Sequence, residues 1–420
     1  MTLLHRRTFL AGATAGLAAL GLGVRGTSRA APAAQARNLL LVIARGGWDV
    51  TYALDPKPDT PGVDAPAGTV QNFGGLPIFV NDDRPGVTSF FDAHASRCAL
   101  VRGIEVRSIA HLDCSARMLT GTSSETSPDV GAIVAYELGL ERPVPYLVLG
   151  RTSFTGPHAA IATRAGTTNQ LHALIDPNSV IWIAATPPVS WRPDDVEAGF
   201  MRAYVEHRAA AVKTAQGYGE SGRRLDDFLG AIDRAESLKA TGELGSINFN
   251  RDLGPQTEVA LAALEQGLSR AVQIEFDDFD THVGNSAQAT LHDALFSGLT
   301  ALVDEMSVRT GPSGASLLDE TVIAVISEMG RTPRLNGDDG KDHWPVTSAL
   351  VIGSGVAGGR VIGATDDGLL ARKINHKTGA PDDTGRPIDY ASLTAGLLAL
   401  AGVDPAPHLP NVEPLDALRA

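Results

Sequence analysis

Along the chain, short apolar runs rich in β-branched residues are separated by longer stretches whose apolar positions recur every three or four residues. The short runs are Asn38 to Ala44 (NLLLVIA), Cys98 to Ile104, Pro145 to Leu149, Val180 to Ala184, Ala271 to Phe276, Thr321 to Ser327 and Ala349 to Ile352. Runs with so little polar alternation have no face to give to water, so they predict strands of a mostly parallel sheet covered on both sides. The spacing predicts helices over Asp129 to Leu138, with Ser127 as cap and Pro128 at the first position, and over Asp194 to Gln216, Leu225 to Thr241 and Thr257 to Arg270. Two more are predicted over Ala287 to Met306, striped by Leu291, Leu295, Leu299, Leu302 and Met306, and over Asp389 to Ala401, closing before Gly402. Asp55 to Asn72 and Lys377 to Pro387, rich in glycine, proline and aspartate, read as surface loops. No internal repeat or low-complexity tract interrupts the pattern. Strands alternating with helices predict an α/β fold, a three-layer αβα sandwich with a mostly parallel central sheet.

The first residues depart from this pattern. Arg6-Arg7 precedes an apolar stretch from Phe9 to Val24, and small residues follow as far as Ala34-Gln35-Ala36. A basic start, a short apolar middle and an A-x-A-like end are the parts of an export signal. Arg6-Arg7-Thr8-Phe9-Leu10 further resembles a twin-arginine signal, which implies the export machinery for folded proteins as a partner and a periplasmic or otherwise exported location. The expected division is a leader over 1–36 and a single domain over 37–420, with a helical insertion around 194–241 and no stable membrane span. The chain carries 35 basic and 48 acidic residues, a net charge of −13. Loss of a leader containing Arg6, Arg7, Arg25 and Arg29 and no acid makes it more negative. That balance argues against nucleic acid and anionic membranes as partners, while leaving room for a small anionic ligand. Cys98 and Cys114 are the only cysteines; they could pair in an oxidising compartment, and a buried free thiol at Cys98 is as good a reading.

In a sheet of this kind ligands bind beyond the carboxyl ends of the strands. Three predicted strand ends carry suitable groups. NLLLVIA exits as Arg45-Gly46-Gly47-Trp48-Asp49, AVQIEF as Asp277-Asp278-Phe279-Asp280-Thr281-His282, and TVIAVIS as Glu328 in a loop ending at Asp342-His343. Convergence of Asp49, Asp280, His282, Glu328, Asp342 and His343 gives a mixed carboxylate and imidazole set, which suits one or more divalent ions, zinc foremost. Taken singly, each has a plain structural role available: Asp49 as a turn or cap, the Asp280 to His282 segment as a cap, His343 as a packed histidine.

Together, RGGWDV, FDTH, SEMGRTPRLNGDDGKDHWP and the closing IDYASLTAGLLALAGVDP resemble the bacterial domain of unknown function family 1501, from about Asn38 to Asp404. That family is similar to the alkaline phosphatase and sulfatase superfamily, whose αβα hydrolases hold metal ions at strand ends. The resemblance implies Asp49, Asp280, His282, Glu328 and His343 as metal ligands. It also implies an exported hydrolase of phosphate or sulfate esters, its ligand a small anionic ester or a cell-envelope component. In the segment HLDCSARMLTG, sulfatase spacing puts His111, rather than Cys114 or Ser115, where the nucleophile stands. His111 is then a metal ligand, a nucleophile or a general base, and Arg331 is expected to neutralise the bound anion. The missing serine or cysteine favours the alternative, a noncatalytic exported binding protein of the same fold.

Overall fold

The computed structural model describes residues 36–165, 181–182, 189–190, 193–240 and 252–420. In chain order the strands are β1 (Asn38–Ala44), β2 (Thr69–Phe73), β3 (Leu76–Val80), β4 (Cys98–Glu105), β5 (Tyr146–Val148), β6 (Ala162–Arg164), β7 (Ile181–Trp182) and β8 (Val189–Ser190). They continue as β9 (Ala271–Phe276), β10 (Thr321–Ile326), β11 (Gly330–Arg331), β12 (His343–Trp344), β13 (Val346–Gly353), β14 (Arg360–Ile362) and β15 (Ile388–Asp389). The helices are α1 (Pro85–His94), α2 (His111–Thr120), α3 (Val130–Leu138), α4 (Asp195–Gln216), α5 (Glu220–Ala240), α6 (Leu253–Glu265), α7 (Ala287–Val308), α8 (Leu317–Glu320) and α9 (Tyr390–Ala401).

The central sheet has nine strands in the order β14-β4-β13-β10-β1-β9-β5-β6, with β15 added alongside β4. β1 pairs in parallel with β10, Leu40 opposite Ile323, and with β9, Leu40 opposite Val272. β13 is antiparallel to both β10 and β4, which leaves β4 running in the same direction as β1. All seven residues of β1 are buried, and they alternate between two cores. Leu40, Val42 and Ala44 pack with α1, α6 and α7, whereas Leu39, Leu41 and Ile43 pack with α2, α3 and α9. Each such side chain contributes about 1.5–3 kcal/mol on burial, which is why strands apolar on both faces hold the middle of the sandwich. The expected αβα architecture is therefore present.

Several local expectations change. Ile181 and Trp182 pair with β8 in a separate ribbon rather than joining the central sheet; the rest of the Val180 to Ala184 run lies outside the described residues. Asp129, not Ser127, caps α3, accepting from Ala132 N at 2.7 Å, because its side chain is buried beneath Phe154 and accepts that residue's N–H as well. α6 starts earlier than its stripe suggests, at Leu253 after the Asp252 cap, and α5 starts at Glu220. The end of the Asp55 to Asn72 loop enters the β2–β3 hairpin, and α1 and α2 add two helices to those that the spacing predicts. α4, opened by an Asp194–Glu197 capping box, packs against α5 through Arg202–Asp233 and Lys213–Asp226 ion pairs. Cys98 and Cys114 are both free and buried. No helix among the described residues is long and apolar enough to cross a membrane.

Candidate metal centre

Five neighbouring strands, β4, β13, β10, β1 and β9, deliver polar groups to one rim. Four of them end there, and antiparallel β13 begins there. His111 follows β4 at the first position of α2, Glu328 follows β10, and Gly46-Gly47 follows β1. Asp280 and His282 follow β9, and His343 sits in β12 just before β13. The one reversed strand is thus what brings the late Asp342-His343 pair to the carboxyl ends of the others.

Three imidazoles face Asp280. His343 Nδ1 donates to the Ile109 carbonyl at 2.7 Å, and its Nε2 lies 3.2 Å from Asp280 Oδ1. His282 Nδ1 lies 2.9 Å from Asp342 Oδ1, with its Nε2 3.2 Å from Asp280 Oδ1. His111 Nδ1 lies 3.1 Å from Glu328 Oε1, with its Nε2 3.3 Å from Asp280 Oδ2. Each ring thus has one nitrogen on a fixed acceptor, the Ile109 carbonyl or the Asp342 or Glu328 carboxylate, and turns its Nε2 toward Asp280. His282 Nε2 and His343 Nε2 then face each other at 2.9 Å. Such a contact is held either by a proton on one nitrogen or by a cation shared between two lone pairs. The ligand atoms of His111, Asp280 and His343 fall within 4.8 Å of one another, and His282 Nε2 lies beside this group, next to His343 and Asp280. Two imidazoles and one carboxylate, with a third imidazole alongside and each ring steadied through its other nitrogen, are donor types suited to a divalent transition metal.

The surrounding charges act on the acids and on His111 in opposite directions. Burial alone raises the Asp280 pKa, but the Arg331 hydrogen bond and charge, with His343 and His111, hold it below the ordinary carboxylate value. The Glu328 hydrogen bond raises the His111 pKa against partial desolvation, and the Glu328 and Asp280 charges add to it. Hydrogen bonds from His282 and Asn336 hold Asp342 low.

Several expected roles are corrected by this geometry. Asp49 is not part of the cluster. Its carboxylate is fully buried, 2.8 Å from Lys341 Nζ, and accepts from Thr51 and Asn285, because it caps a turn that points it into the core. Glu328 and Asp342 touch the centre through imidazole Nδ1 atoms and so steady His111 and His282, Glu328 also accepting from Gly46 N at 2.9 Å. Arg331 is buried, four of its five N–H donors committed to Gly46 O, Gly47 O, Lys341 O and Asp280, so it fixes Asp280 and is shielded from an incoming anion. His111 stands among the candidate donors, beside Asp280 and His343. Cys114 lies one turn into α2, fully buried, its thiol pushed by burial up to about 11, and cannot replace it as nucleophile. Sequence reasoning missed Lys341, since a lysine among Gly340, Asp342 and His343 looks solvent-facing, and it missed Ile109, which contributes only a carbonyl.

Two glycines let these loops close. Gly46 has φ of +109°, and a Cβ there would fall 2.5 Å from Asp280 N; one at Gly340 would fall 1.8 Å from His282 O. Glu328→Gln keeps the size of the side chain but leaves His111 Nδ1–H a weaker acceptor. Metal affinity measured by chelator competition is expected to fall by about 10–100-fold; an unchanged affinity would remove Glu328 from this role.

The fold and this rim define an α/β protein with a candidate histidine and aspartate metal centre at its strand ends. Within that class, the chain belongs to the family described as protein of unknown function (DUF1501), whose pattern matches residues 36–409. Comparison with curated proteins finds no match. Among solved structures, the chain is similar to the lipoteichoic acid synthase LtaP from Listeria monocytogenes, at 10% identity over 95% of this chain and 79% of that one, with a TM-score of 0.39. It is similar to a protein in the alkaline phosphatase superfamily from Vibrio parahaemolyticus, at 12% identity over 88% and 67%, with a TM-score of 0.36. It is also similar to the phosphonate monoester hydrolase SpPMH from Silicibacter pomeroyi, at 9% identity over 90% and 78%, with a TM-score of 0.39. At such scores these likenesses carry no chemistry to this chain, whose own side chains must supply it.

Proposed function

We propose that this protein is an exported metal-dependent hydrolase acting on phosphate or sulfate esters, with zinc the ion best matched to its donors. The observation that carries the reading is the convergence of three imidazole Nε2 atoms on Asp280, each ring held through Nδ1 by a fixed acceptor. His111, His282, His343 and Asp280 hold the ion; when bound, it supplies Lewis-acid polarisation of the ester and a water of lowered pKa. Glu328, Asp342 and the Ile109 carbonyl fix the ring orientations, and Arg331 keeps Asp280 ionised and aimed inward. About two-fifths of each of the Asp280, His282 and His111 side chains is exposed, so the centre opens to a ligand arriving from solvent, as a catalytic rather than a structural site does. Export is supported by the leader pattern at Arg6-Arg7 and the apolar stretch after it.

The test is hydrolysis of aryl phosphate and aryl sulfate by the purified protein, after chelation and again after adding back zinc or manganese, with cell fractionation to locate the chain. Metal-restored turnover outside the cytoplasm is expected. A folded, metal-loaded protein that turns over neither ester would leave the noncatalytic binding reading in its place.

A further inference from the structure

We infer that the site takes esters whose alcohol part is apolar, an alkyl or aryl group of several carbons carried by the anionic head; this rests on the hydrolase reading above. The rim of the metal centre is built of polar loops, yet four large apolar side chains stand out from it. Ile109, Leu112, Val283 and Leu335 are 55%, 58%, 72% and 43% exposed. Each is tied to the cluster by its neighbours in the chain. The Ile109 carbonyl accepts from His343, Leu112 follows His111, Val283 follows His282, and Leu335 precedes Asn336, whose amide donates to His282 O and Asp342 Oδ1. The rings of His111 and His282 pack on His343 at 4.5 and 4.6 Å between centroids, so the groups that the four residues adjoin in the chain meet at one hub.

Single exposed apolar residues are ordinary, but several gathered around a polar centre mark a surface that is covered during function. The occupant must satisfy both chemistries at once. Its anionic head belongs at the donor cluster, and its apolar part lies across Ile109, Leu112, Val283 and Leu335. With a net charge of −13, the chain does not attract long polyanions, which argues for a small head group over a highly charged polymer.

The test uses the zinc-loaded protein and non-hydrolysable alkylphosphonates from methyl to octyl, with binding read by calorimetry. Affinity is expected to rise with chain length, by up to about fourfold for each methylene that the rim covers. In the double variant Leu112→Ser/Val283→Ser, whose side chains are mostly in solvent, the series flattens. Phosphatidylcholine vesicles doped with dihexadecyl phosphate separate the sources: co-sedimentation means a bilayer-presented head group, and octylphosphonate binding without it means a free amphiphile. Equal affinity for methyl- and octylphosphonate would overturn the inference while leaving the hydrolase reading intact. Tight octylphosphonate binding without turnover of any alkyl ester would do the reverse.

Discussion

Replacing Asp49 with alanine is expected to destabilise the fold by about 3–5 kcal/mol, the cost of leaving a buried charge without its partner. Lys341 Nζ and the Asp49 carboxylate are both fully buried and 2.8 Å apart. Asp49 also accepts from Thr51 and Asn285, and Asn285 in turn accepts from Thr281. One buried pair therefore fastens the β1 exit to the loops that carry Asp280, His282 and His343. Urea unfolding of the variant should show a lower midpoint with an unchanged slope. The double variant Asp49→Leu/Lys341→Met, which removes both charges, should recover most of the loss. A double variant no better than the single one would mean that the charge pairing is not what matters. The pH dependence has a definite sign. Burial raises the Asp49 pKa, but Lys341, Thr51 and Asn285 pull it further the other way, so the folded value is depressed. The pair's contribution is thus complete above the unfolded carboxylate pKa of about 3.9 and is lost as pH falls through the lower folded value. Wild type should keep its advantage over Asp49→Ala through neutral and mildly acidic pH.

This role for Asp49 also marks where reading the sequence stops. β1 and β9 have the bounds that their apolar runs suggest, because a strand buried on both faces leaves little choice of register or end. Asp280, His282 and His343 were legible as rim residues because each stands just beyond or just before a strand. The direction of a side chain is another matter. Asp49 follows two glycines as a ligand would, yet whether its carboxylate points to the rim or to the core depends on Lys341, distant in the chain. Glu328 and Asp342 were placed correctly at the site but not by function, since their contact is with Nδ1 of a histidine from another strand. Arg331 looked like an anion clamp, and only the packing of Gly46 and Gly47 against it shows that its donors are already engaged. The antiparallel course of β13 could not be read from a short apolar run, although it is what carries His343 to the rim.

His343→Ala provides the sharpest separation between a metal centre and a hydrogen-bonded histidine cluster. The ring lies between His111 and His282 and touches Asp280, but it carries no core packing, so its removal should leave unfolding in chelator nearly unchanged. Metal affinity should fall by more than the roughly 10–100-fold expected for a group that only steadies a ligand. The two effects are visible in one experiment. At a zinc concentration about a hundredfold above its Kd, binding stabilises the wild type by about 2.7 kcal/mol, and the variant should gain only a small part of that at the same concentration. Asp280→Asn is the useful contrast. It removes a ligand and also the partner of the buried Arg331, so it should lower stability in chelator as well as zinc response. If His343→Ala loses stability in chelator but gains from zinc as much as the wild type does, His343 is not a ligand, the imidazoles form a structural hydrogen-bond network, and the hydrolase proposal loses the site it rests on.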